Sequence, residues 1–135
     1  MGIFNFLKRN SEEPSWIGHF PKEHAEFILG SIRENPQACK SDRIPGTEGR
    51  FGYDKTNPIP VFGIPSNEIY LRSLRKKGVS SIGWRRNGSL NIPEIINPID
   101  EYELFDEEGE LIATIYISPY HWKISELAPE GFYLE

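Results

Sequence analysis

One cysteine, Cys39, stands alone in 135 residues, so no disulfide can close within the chain and a reducing compartment is expected. No run approaches the ~20 consecutive apolar residues that a membrane-crossing helix needs. The opening, Met1 to Arg9, is apolar over only a few positions. Its basic pair, Lys8-Arg9, follows the apolar stretch, whereas a signal peptide places its positive charge first. Phe6 occupies the position where a myristoylation signal needs Ser or Thr. A cytoplasmic protein without membrane attachment is the resulting expectation. Histidine is also scarce. His19 and His24 lie five apart, while ligand pairs on one helical face lie three or four apart, so no metal site is expected. Neither a phosphate-cradling glycine loop nor a serine nucleophile elbow is present, and no cofactor is implied.

Positive charge is nearly absent from the last third. Residues 94–135 carry eleven carboxylates against Lys123, a net charge of −10. Residues 56–93 carry Arg72, Arg75, Lys76, Lys77, Arg85 and Arg86 against Glu68, a net charge of +5. Residues 1–55 balance eight basic groups with eight acidic ones, and the formal charge of the whole is −5. The basic block with Trp84 has the composition of a single-strand platform, but the acidic block repels phosphates, so nucleic acid is not the expected partner. The two blocks are expected to neutralise one another, within the fold or between self-associating copies. A basic protein is the other partner such a surface would draw.

The chain has enough apolar material for a core. Hydrophobic residues make up 38% and aromatic ones 13%, too many for a disordered segment. One domain over residues 1–135 is expected. Residues 1–15 read as an N-terminal extension whose Ile3, Phe4, Phe6 and Leu7 dock on the body. Twelve glycines and eleven prolines argue for many short connections and against a helical bundle. Pro21 opens a helical pattern with Ala25, Ile28, Leu29 and Ile32 on one face, and Asn35-Pro36 ends it. Residues 36–65 are too rich in Gly and Pro for a long element, although Phe51, Tyr53, Ile59, Val61 and Phe62 call for burial. Within them, Asn57 to Gly63 reads as an extended segment that either covers a sheet edge or docks a partner.

Ser66 is placed to cap a second helix over Asn67–Lys77, with Gly78 just beyond its end, although the alternation of Ile69 and Leu71 with Tyr70 and Arg72 also fits a strand. Val79 to Arg86 reads as a strand that returns through Asn87-Gly88 to Ile92, because Asn-Gly is the strongest two-residue hairpin signal. Tyr102 to Phe105 and Glu110 to Ser118 form a second hairpin around Asp106-Glu107-Glu108-Gly109. There Gly109 supplies the positive φ of a type I turn with a bulge. The expected architecture is α+β: an antiparallel sheet built from two hairpins, with about two helices.

The candidate chemistry gathers at the end of the last long strand, Pro119-Tyr120-His121-Trp122. An imidazole there has the pKa range of a general base, although a histidine hydrogen-bonded into the backbone has the same sequence signature. As a catalyst, His121 would need a nucleophile or a second acid–base group beside it, with Glu103, Asp100, Tyr70 and Asp54 as the choices, and Arg72 and Arg75 for an anionic substrate. That combination defines a small hydrolase or nuclease. The other reading is a binding surface in which Glu107, Glu108 and Glu110 steer a basic partner and Tyr120 and Trp122 anchor it. Lys40 beside Cys39 would favour a thiolate, but no partner for a nucleophilic thiol is evident.

Five segments form a recognisable set: Gly52-Tyr-Asp-Lys-Thr-Asn-Pro-Ile-Pro-Val61, Ile69-Tyr-Leu-Arg-Ser-Leu-Arg75, Tyr102-Glu-Leu-Phe-Asp106, Tyr116-Ile-Ser-Pro-Tyr-His121 and Ala128-Pro-Glu-Gly-Phe132. Over about residues 50–133 the set resembles a group of small bacterial proteins with no assigned activity. Such proteins resemble the immunity proteins that accompany polymorphic toxins. The group has no activity to transfer. The immunity-protein likeness together with the acidic hairpin leads to the expectation of a module that occludes a basic partner, with a small hydrolase or nuclease and a self-associating structural protein as the alternatives.

Overall fold

The computed structural model describes residues 17, 18 and 20–135. The N-terminal extension and His19 lie outside them. The first helix, α1 (Lys22–Arg33), buries Ala25, Ile28, Leu29 and Ile32, the apolar face read from the sequence. Proline at its N-cap presets the entry φ, and the chain leaves through Glu34 and Asn35.

The main sheet has four strands in the order β1 (Ile59–Pro60), β5 (Leu111–Ser118), β4 (Ile95–Phe105) and β3 (Gly83–Ile92). β3, β4 and β5 form an antiparallel meander, while β1 lies parallel to β5. The sheet is therefore mixed, not purely antiparallel. Ile59-Pro60 comes from the irregular stretch and closes the β5 edge, where Pro60 needs no N–H for the ladder. Val61, Phe62 and Ile59 are buried there, so the stretch packs down as its apolar residues require.

Two elements differ from the sequence reading. The second helix, α2 (Ser66–Ser73), stops four residues early, and Leu74–Lys76 becomes strand β2, paired antiparallel with β6 (Phe132–Leu134). The C-terminal strand, invisible as a pattern over three residues, outcompetes the last helical turn. Ser66 does not cap α2; Pro65 holds that position, and the Ser66 hydroxyl donates to the Phe62 carbonyl. Gly78 does take a positive φ, but in the turn after β2.

Asn87-Gly88 is likewise not a hairpin turn. β3 runs straight through it, and the reversal into β4 falls at Pro93-Glu94, between Ile92 and Ile95. Gly88, at φ 142°, instead forms a bulge: Arg86 faces Tyr102 and Gly88 faces Glu101, which leaves Asn87 unmatched. The acidic hairpin matches its expectation. Gly109 has φ 83°, its N–H donates to the Asp106 carbonyl at 3.0 Å, and the register slips between Leu104 and Phe105 as a turn bulge requires.

Strand alternation gives the sheet two faces. Tyr102, Leu104, Ile115 and Ile117 pack with Tyr70, Leu71 and Leu74, so this face lies under α2. Ile95, Ile99 and Tyr116 pack with Ile44 on the opposite face. A third cluster joins α1 to Ile17 and Phe62 beyond the β1 edge. The arrangement is an α+β fold.

Candidate functional site

His121 follows the end of β5 and is 1% exposed. Its backbone N–H donates to the Val61 carbonyl at 3.0 Å, which continues the pairing begun by β1. Its Nδ1 accepts the Cys39 N–H at 3.2 Å, and its Nε2 lies 2.9 Å from the Ser118 hydroxyl. Burial lowers its pKa to about 4, so the ring is neutral at pH 7. A neutral imidazole that accepts at Nδ1 carries its proton on Nε2, so His121 donates to Ser118. A general base would have to accept the serine proton instead. The pair is therefore oriented against nucleophile activation, and Ser118 is buried as deeply as the ring.

The groups proposed to join His121 in catalysis do not gather around it. Among the described residues, no carboxylate hydrogen-bonds the imidazole. Arg72 reaches back to Glu68 at 3.2 Å on an exposed helix face. Arg75 donates to the carbonyls of Arg72 and Leu74 and lies 4.0 Å from Glu135. Glu103 pairs with Arg85, and the Asp54 carboxylate accepts the Arg50 N–H at 2.7 Å. Cys39 is half-buried, and burial raises its thiol pKa, opposite in direction to the effect expected from Lys40. The thiol faces the carbonyls of Ser41 and Arg43. Among the described residues no three His, Cys, Asp or Glu side chains converge as metal ligands.

A second polar cluster, drawn from α2, β3 and β4, lies on the α2 side of the sheet. Asp100 is buried, and its Oδ1 accepts from Arg86 at 2.9 Å and from Ser89 at 3.2 Å. Its Oδ2 accepts from Asn67 Nδ2 at 2.8 Å, and the same amide donates to the Tyr102 hydroxyl at 3.2 Å. The Asn87-Gly88 bulge explains how Arg86 and Ser89 both reach one carboxylate. Without the extra residue, strand alternation would turn Ser89 to the other face. Asp100 in turn raises the Arg86 pKa, first through their hydrogen bond. Burial raises the pKa of Tyr102 and of Tyr120 nearby. Sequence reasoning named Asp100 only as a partner for His121 and missed Asn67, Ser89 and Ser118, because none has a local signature.

The binding-surface residues divide between the two ends of β5. Glu107, Glu108 and Glu110 are exposed in the β4–β5 turn and form no ion pair among the described residues. Asp106 organises that turn by accepting the N–H groups of Glu108 and Glu110, each at 2.9 Å. Tyr120 and Trp122 lie past the other end of the eight-residue strand, roughly 25 Å away at about 3.3 Å per residue. Trp122 turns inward, its ring 6.2 Å from that of Phe62, and its backbone N–H donates to the Cys39 carbonyl. Tyr120 faces outward into an apolar groove of 260 Å³. The groove is also lined by His24, Phe27 and Ile28 of α1 and by Ile64 and Pro65. Phe27 is 72% exposed and Ile64 51%.

The two charge blocks meet only in part within the fold. Arg85 and Arg86 of β3 pair with Glu103 and Asp100 of β4, and Asn87 donates to Glu101. Among the described residues no helix is long and apolar enough to cross a membrane. Comparison with known protein families, with characterised proteins and with solved structures finds no match to this chain.

Proposed function

We propose that the protein is a binding module that acts by occluding a basic protein partner, in the manner of an immunity protein. One observation carries the reading: the acidic turn of the last third forms no ion pair among the described residues. Arg85 and Arg86 are committed to Glu103 and Asp100, whereas Glu107, Glu108 and Glu110 stand on an exposed turn and form no ion pair among the described residues. Charges held on a rigid turn and left unpaired raise the encounter rate with a basic surface more than they raise final affinity. The orientation of the His121–Ser118 pair supports binding over turnover.

The test is capture of a partner from the native host on the tagged full-length chain at low salt, followed by association kinetics with that partner. A stoichiometric basic protein is expected, lost as salt rises. Changing Glu107, Glu108 and Glu110 together to Gln should slow its association. An association rate unchanged by that triple substitution at low salt would sink the reading.

A further inference from the structure

The groove beside Tyr120 is uncommitted by the acidic turn, which lies at the far end of β5, and its chemistry is different. Its helical wall is the stripe His24, Phe27, Ile28 and Ser31. At 100° per residue, Glu23 and Glu34 fall on the outer flank of that stripe, and both are exposed. Lys22 and Arg33 fall on the opposite side of α1, where Lys22 lies 3.9 Å from Glu26. No Lys or Arg of α1 therefore borders the groove. The other wall is Ile64, Pro65 and Tyr120, and beyond it α2 exposes Glu68 and Ile69. Arg72 already neutralises Glu68.

A narrow apolar trough with carboxylates along its open side selects a segment with matching features. It needs a few large apolar side chains on one face and Lys or Arg beside them. At 260 Å³ the trough is below the ~300–1,000 Å³ of small-molecule pockets, a size suited to anchor side chains of a peptide. We infer that the groove formed by α1, Ile64-Pro65 and Tyr120 docks a basic amphipathic segment of the partner protein, its apolar face seated against Phe27 and Ile64. The inference rests on the binding-module reading and names the element of the partner that this end of the molecule takes. The acidic turn sets the encounter rate, and the groove sets the residence time.

The test uses the full-length chain and two labelled synthetic helix-forming peptides with the same Leu and Phe anchors, one flanked by lysines and one by glutamates. Fluorescence anisotropy should show saturable binding of the lysine-flanked peptide alone. Phe27→Glu and Ile64→Glu, both at exposed positions that tolerate charge, should each weaken it by about tenfold or more. Equal binding of the two peptides, or binding that survives both substitutions, overturns the inference. Sedimentation that finds a dimer dissociated by Phe27→Glu assigns the groove to a second copy and also overturns it. Binding that emerges only when Phe4 and Phe6 are changed to Ser assigns the groove to the chain's own start, with the same consequence. Partner capture by the Phe27→Glu and Ile64→Glu chains separates the two levels. A partner held with unchanged residence time removes the groove while the binding module stands; no partner on the unaltered chain removes the module itself.

Discussion

The two ends of the β4–β5 hairpin solve opposite problems with the same strands. At the turn end, the polar side chains Glu107, Glu108 and Glu110 face solvent, and the one organising group, Asp106, bonds only to its own turn. At the other end, Asp100, Ser118 and His121 are buried; Asp100 is tied to α2 and β3, His121 to Val61 and Cys39, and the Ser118 hydroxyl to the His121 ring. Charge that is free to meet a partner sits where nothing else depends on it. Polar chemistry that resembles a catalytic site sits where the fold depends on it. On the proposed reading, His121 is a structural clamp and the three glutamates are the functional group.

If that contrast is right, substitutions at the packed end should cost stability and those at the turn end should not. The largest effect is expected for His121→Ala, which removes both ring hydrogen bonds and leaves a cavity at a fully buried position. About 3–4 kcal/mol should be lost in denaturant unfolding, and a loss below about 1 kcal/mol would refute the clamp.

Acid should act through the same ring. Its pKa is about 4 in the folded state against 6.5 for the free side chain. The unfolded chain therefore takes up the proton first. Stability from this group is full above pH 6.5 and falls as pH drops from 6.5 towards 4, by about 3 kcal/mol in all. Unfolding curves measured through that window should show the slope, and His121→Gln should flatten it.

Asp100→Ala comes next, at about 2 kcal/mol. Asn67 and Ser89 lose an acceptor, while Arg86, half exposed, can return to water. Asp100→Asn should retain part of the network and lose less. The smallest stability change is expected for the triple Glu107, Glu108 and Glu110 to Gln variant, within about 0.5 kcal/mol of the parent. Its partner association at low salt should nonetheless slow severalfold, and that difference should fade as the screening length shrinks to about 10 Å at 0.1 M salt. A large stability loss in this variant would erase the distinction between the two ends.

The elements legible in the sequence were those whose signal is local and repeated. The α1 face from Ala25 to Ile32 shows a helical period over about two turns, and the acidic hairpin shows two alternating runs around a glycine turn. Asn87-Gly88 misled because the same backbone freedom at Gly88 serves a hairpin turn or a bulge, and only the partner strand decides which. α2 was read too long because β6, which claims Leu74–Lys76, lies some sixty residues downstream and is only three residues long. The groove could not be read at all. Phe27 looks like an ordinary exposed position on α1 until Ile64, Pro65 and Tyr120 are brought alongside it.

By itself, then, the sequence determined an α+β class, the first helix, the acidic hairpin and the separation of charge along the chain, since each depends on neighbours within a few positions. The tertiary structure alone decided that His121 is a neutral, buried donor, that Asp100 gathers Asn67, Arg86 and Ser89, and that Tyr120 borders an acidic-flanked groove. Each of these depends on the environment created when distant segments exclude water together. Burial sets the protonation of a histidine and the availability of a carboxylate, and burial is a property of the assembled chain.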